Sequence, residues 1–164
     1  MARLAEEGEK MSKDTFSFIY KNQDIEKWKS HIIKVLSAAI EAGFIPERLD
    51  LFTGKTVAEE SWKDIESLIK PIEKCRGPKI DMFVTVYGKL SDYMVEISFD
   101  FDTKMQTISC SVDSEDKKWL RAARDDKLKL NKLISAISKQ AGVEVDVVDT
   151  SYDELALDEH GFVL

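Results

Sequence analysis

Alternation of apolar and polar residues between Ile80 and Val112 constrains this chain more than any other feature. Ile80–Tyr87, Tyr93–Phe101 and Thr107–Val112 each alternate residue by residue, and successive side chains of a strand point to opposite faces. The segments between them, Gly88–Asp92 and Asp102–Met105, are polar and of hairpin length. The spacing predicts an antiparallel meander. Its core face collects Ile80, Met82, Val84, Val86, Tyr93, Val95, Ile97, Phe99, Phe101, Ile108, Cys110 and Val112. Its other face collects Asp81, Phe83, Thr85, Tyr87, Met94, Glu96, Ser98, Asp100, Thr107, Ser109 and Ser111. That is the pattern of a sheet with one wet side.

Helical spacing flanks the meander. Ile25, Trp28, Ile32, Val35, Leu36, Ala39 and Ile40 form one stripe, which predicts a helix over Asp24–Ala42 capped by Asn22 or Asp24 and ended by Gly43. Thr56 and Glu59 match a capping box. They predict a second helix through Ile72, ended or kinked by Pro71. A third helix is expected from Glu115 to Gln140, capped by Ser114 and broken near Arg124–Asp126. Trp119, Leu120, Ala123, Leu130, Leu133, Ile134 and Ile137 lie on its buried side. Val143, Val145 and Val147 then alternate as a fourth strand. The expected fold is α+β, a two-layer sandwich of order α-α-β-β-β-α-β, with helices on one face of an antiparallel sheet of about four strands.

Length and composition fit one domain over residues 14–150, since 164 residues with 43% hydrophobic content can build a core. Residues 1–13 read as a flexible leader: Met1–Lys10 is charged and lacks the apolar stretch of a secretory signal, and Met11 is a second plausible start. Residues 151–164 read as an acidic segment, docked or loose. Two cysteines in different elements, with no C-x-x-C pair, suit a reducing cytoplasm. No apolar run is long enough for a membrane span.

The net charge of -7 is unevenly placed. Seven acids (Glu144, Asp146, Asp149, Asp153, Glu154, Asp158 and Glu159) and no Lys or Arg fall between Gln140 and Leu164. The rest of the chain is balanced. Such a distribution disfavours nucleic acid and anionic membrane as ligands and suits a basic protein.

Motifs for chemistry are sparse. Gly54-Lys55-Thr56 lacks the earlier glycine of a phosphate loop, since Leu49 stands there. His31 and His160, far apart in sequence, suggest no metal site, and no cofactor is expected. Cys110 falls on the core face, and Cys75 beside Arg76 has no base assigned to it. Asp100 and Asp102 flank Phe101 on one face, where paired carboxylates serve acid–base chemistry or, more commonly, a turn. The outer sheet face carries the sharpest expectation. Phe83, Tyr87 and Met94 stand among Asp81, Glu96 and Asp100, a set that suits a protein interface. With Asp102, Asp146, Asp149, Asp153 and Glu154 they form the expected partner-binding set. The competing expectation is that Leu155–Leu164 covers this face.

The stretch Ile80–Asp149, ending in LISAISKQAGVEVDVVD and followed by SYDELALDEHG, resembles in architecture the small bacterial immunity proteins that neutralise polymorphic or contact-delivered toxins. The resemblance implies a non-enzymatic, cytoplasmic, one-to-one inhibitor of a basic toxin domain, often a nuclease, acting as a monomer or weak homodimer. The element order is also similar to that of type III secretion chaperones, which implies binding of an effector segment. The two-helix start expected here departs from the single first helix of that family.

Overall fold

The computed structural model describes residues 15–20, 23–75, 78–115, 121–141 and 145–148. The leader at 1–13, the acidic segment at 151–164, and Trp119 and Leu120 lie outside the described residues. The elements are β1 (Thr15–Tyr20), β2 (Gln23–Asp24), a 3-10 turn (Ile25–Lys27) running into α1 (Trp28–Glu41), β3 (Ile45–Phe52), β4 (Thr56–Ser61), α2 (Ile65–Lys74), β5 (Met82–Leu90), β6 (Tyr93–Asp102), β7 (Thr107–Glu115), α3 (Arg124–Ala141) and β8 (Val145–Val148).

The α+β class holds, but the sheet is larger than expected. Eight strands pair, every pair antiparallel, in the order β4-β3-β5-β6-β7-β1-β8, with β2 also on β7. The meander β5-β6-β7 is the centre, as its alternation predicts. The β3-β4 hairpin extends one side, and β1 with β8 extends the other. The predicted fourth strand is β8, paired to β1.

The expected second helix is overturned at its start. Thr56–Ser61 is the edge strand β4, and Thr56 and Glu59 form no capping box. Gly54 adopts a left-handed φ of 93° in the turn that folds β4 back on β3, a conformation glycine takes without steric cost. Leu49 and Leu51 anchor β3 in the core. The short helix α2 instead begins after Asp64, whose carboxylate accepts the Ser67 N–H at 2.6 Å. Pro71 sits inside α2, which ends one turn later at Lys74. The expected third helix is also corrected near its start, where residues 116–120 lie outside the described ones and Ala123, expected on the buried side, is exposed. Glu115 belongs to β7, and Ser114 is a buried strand residue that donates to the Met94 carbonyl at 2.6 Å. α3 starts at Arg124.

α1 follows its predicted stripe closely. Asp24 caps the opening turn by accepting from Glu26 N–H, and Gly43 follows the helix at φ 108°. Trp28, His31, Ile32, Val35, Leu36 and Ala39 are buried, whereas Ile40 is exposed. The helix lies on the predicted core face: Trp28 meets Phe101 edge-on at 5.6 Å, and His31 meets Phe99 at 6.0 Å. Leu68 and Ile72 of α2 and Leu130, Leu133, Ile134 and Ile137 of α3 join the same core. His31 Nε2 is buried without a hydrogen-bond partner among the described residues, and burial, helped by Lys34, lowers the imidazole pKa. Cys110 is buried in the core and Cys75 half-buried; both are free, and burial pushes the Cys110 thiol up.

Gly88 shows how tightly the β3-β5 seam is packed. A Cβ there would collide with the Ile45 carbonyl oxygen and stand 2.6 Å from the Phe44 ring. Phe44 is itself fully buried and cannot swing away. Gly88→Ala is expected to destabilise the fold by about 1–3 kcal/mol through overpacking. Urea unfolding should show a lower midpoint at unchanged slope; an unchanged midpoint would mean the seam yields freely.

Candidate functional site: the outer face of the sheet

Strand pairing assembles the outer face in rows. Arg48, Tyr87, Glu96 and Asp113 stand in direct register across β3, β5, β6 and β7. The next row is Glu59, Asp50, Thr85, Ser98 and Ser111, and the one beyond it Phe52, Phe83, Asp100 and Ser109. Met94 lies toward the other end, opposite Lys89. Phe83, Tyr87, Met94, Glu96 and Asp100 therefore do share one face, as their parity predicts. Phe83 and Met94 are each 39% exposed, and Tyr87 is half-buried.

The centre of this face is drier than its composition suggests. Thr85 and Ser98, expected on the wet side, are 6% and 2% exposed, and their hydroxyls lie 3.2 Å apart. Their neighbours carry the charge. The Arg48 guanidinium lies over the Tyr87 ring at 4.3 Å. It stands 3.6 Å from Asp50 and 3.5 Å from Glu59, distances of ion pairs. Asp50 Oδ1 is buried and has no hydrogen bond among the described residues despite that pairing. Ser111 donates to Asp113 at 3.3 Å.

Burial raises the Glu96 pKa above the usual carboxylate range, and Asp113 and Asp50 add to the rise while Arg48 opposes it. Tyr87 is raised as well, first by burial and then by Glu96 and Asp50. Asp50, Glu59 and Glu96 thus share one arginine in the middle of the face. Arg48, Asp50, Glu59 and Asp113 escape a reading of local sequence, because only strand pairing brings them onto one face with Glu96. The alternation of Arg48 and Asp50 with Leu49 and Leu51 was the available signal.

At the Phe83 end, Asp81, Asp100 and Asp102 gather, and they differ in their bonding. Asp81 Oδ1 accepts from both Thr103 N–H, at 2.8 Å, and Thr103 Oγ1, at 2.6 Å, and these bonds lower its pKa. Asp102 Oδ1 accepts from Met105 N–H at 3.0 Å, which is turn chemistry. Asp100 has no hydrogen bond or ion pair among the described residues. Burial, then Asp102 and Asp81, raise its pKa. Asp100 lines an open depression with Phe52, Thr53, Gly54, Asp81, Met82 and Phe83, and Asp102 does not. Among the described residues no group of three or more His, Cys, Asp or Glu is placed to hold a metal ion.

Of the acidic carboxyl end, Asp146 lies on β8 and pairs with Ile19 of β1. Asp149, Asp153, Glu154 and the Leu155–Leu164 stretch lie outside the described residues. No helix among the described residues is long and apolar enough to cross a membrane. No family model matches the chain, and no curated protein matches it in sequence.

Glu96 supplies a test of this electrostatic picture. Its folded pKa lies above its unfolded one, so the fold favours the protonated form. Stability is then lost as pH rises from the ordinary Glu range through the raised value. Glu96→Gln removes that penalty and should melt higher than the parent at neutral pH. The gap should close as pH is lowered toward about 4, where the parent carboxyl is protonated too. Thermal melts across that range check this; an equal or lower melting temperature at neutral pH would show that Arg48 fully compensates the charge.

Proposed function

We propose that this chain acts by binding, and that the outer sheet face meets a basic protein and neutralises it, as an immunity protein does a toxin. The observation that carries the reading is the mixed character of that face. Exposed Phe83 and Met94 flank half-buried Glu96 and Asp100, which is unpaired among the described residues, on two adjacent strands. Exposed apolar groups contribute affinity when desolvated, and surplus carboxylates supply steering and register toward Lys or Arg. The acids Asp146, Asp149, Asp153 and Glu154 add to the chain's negative charge. The same charge repels nucleic acid phosphates. On this reading the chain is a cytoplasmic, non-enzymatic inhibitor that needs no cofactor.

The test is co-expression with the larger protein encoded beside the chain's own gene. The parent chain should restore growth and purify with that protein as a salt-sensitive complex. Glu96→Lys and Asp100→Lys should each weaken the complex by about tenfold to a hundredfold. Asp100→Lys should lower the melting temperature by no more than about 2 °C, because Asp100 is exposed and surface changes usually move stability little. Growth inhibition that the parent leaves untouched, or charge-reversed variants that protect equally well, would overturn the reading.

A further inference from the structure

The row Phe52, Phe83 and Asp100 carries a more specific inference, which rests on the reading just given. Phe52 and Phe83 are direct cross-strand partners, and Phe83 is in turn opposite Asp100. Both rings are conspicuously exposed, Phe52 at 45% and Phe83 at 39%. Neither makes an aromatic ring contact among the described residues. Together with Asp100 they line a depression of about 270 Å³.

Charge decides what fits there. Asp81 and Asp102 each commit an oxygen to the turn at Thr103–Met105, and Lys104 lies near enough to Asp81 to favour its charge. Asp100 is left uncompensated among the described residues, with Asp81 and Asp102 repelling its charge rather than relieving it. A cation would relieve that repulsion, and aromatic faces attract cations through the ring quadrupole. The same sheet face already shows this arrangement. Two outer-face positions along β5, Arg48 lies on the Tyr87 ring with Asp50 and Glu59 as its carboxylates. There the chain supplies its own guanidinium. At Phe83 the rings and the carboxylate are present, and among the described residues no cation lies over those rings or pairs with Asp100.

We propose that the Phe52–Phe83 depression receives one lysine or arginine side chain of the basic partner protein, its stem along the two rings and its charge against Asp100. Long cationic side chains combine an apolar stem with a charged head, which suits a seat that is aromatic on one side and anionic on the other. An apolar side chain would use the rings but leave Asp100 desolvated and unpaired.

The test uses the full chain in two arms. In the first, NMR spectra are followed during titration with N-acetyl-arginine amide, N-acetyl-lysine amide and the uncharged N-acetyl-norleucine amide. Saturable shifts at Phe52, Phe83 and Asp100 are expected from the two cations and not from norleucine. Asp100→Asn and Phe83→Ala should each weaken that binding by about threefold or more. Equal shifts from norleucine, or cation-induced shifts confined to Glu96 and Asp113, would overturn the proposal. In the second arm, Phe52→Ala/Phe83→Ala should weaken the complex with the neighbouring protein by about tenfold. A double variant that melts like the parent and binds as tightly would remove the aromatic seat while leaving the outer-face reading intact. Cation binding at Phe83 without any complex would instead sink the inhibitor reading and leave the seat standing.

Discussion

Burial of one face of the β5-β6-β7 meander beneath α1 is the interaction on which the rest of the structure depends. Val84, Val86, Val95, Ile97, Phe99, Phe101, Ile108 and Val112 have no measurable exposure, and Trp28 and His31 close over the two phenylalanines. Each such side chain is worth roughly 1.5–3 kcal/mol of transfer free energy. Because side chains alternate strictly along a strand, fixing this face also fixes the other. A one-residue slip in β6 would bring Glu96 and Asp100 into the core and turn Phe99 outward. The outer face is therefore held in place by packing it does not share in.

That separation explains why the outer face can carry an arrangement that is poor for stability. Glu96 is half-buried beside two other acids, and Asp50 keeps an oxygen without a hydrogen bond among the described residues. Arg48 is spread across Asp50 and Glu59 rather than bonded closely to either. A face designed only to be wet would place such carboxylates in water. Here the unfavourable local electrostatics are tolerated because the core on the far side supplies the cohesion, and they are the terms that a cationic partner would reverse.

The central meander was legible from its alternation alone, and with it the parity that brings Phe83, Tyr87, Met94, Glu96 and Asp100 to one side. The flanking strands were not. In β3, Pro46 interrupts the first residues, and only Leu49 and Leu51 mark the buried side. In β4, Thr56 and Glu59 satisfy the local pattern of a helix start, but Gly54 in its left-handed conformation turns the chain back on β3, and tertiary pairing overrides local propensity. The second helix was thus placed too early, with Asp64 as its true cap. Arg48, Asp50, Glu59 and Asp113 were missed for the same reason. Their roles come from register between distant segments, which no window of local sequence contains. Asp100 and Asp102 were paired correctly by parity, yet hydrogen bonding divides them, one to a turn and one to an open depression.

The position of β4 has one more consequence. It is the outermost strand on its side of the sheet among the described residues, so one row of its backbone amides and carbonyls has no strand partner there. Bare edges invite a second chain to add itself, the first step toward fibrillar aggregation. This edge carries Glu59 and Glu60 side by side, and the register shift at Leu51/Phe52 breaks the regular ladder beside it. Adding a strand there would crowd carboxylates and lose hydrogen bonds at the irregularity. A chain that displays uncovered phenylalanine on one sheet face is thereby guarded against polymerising through its border.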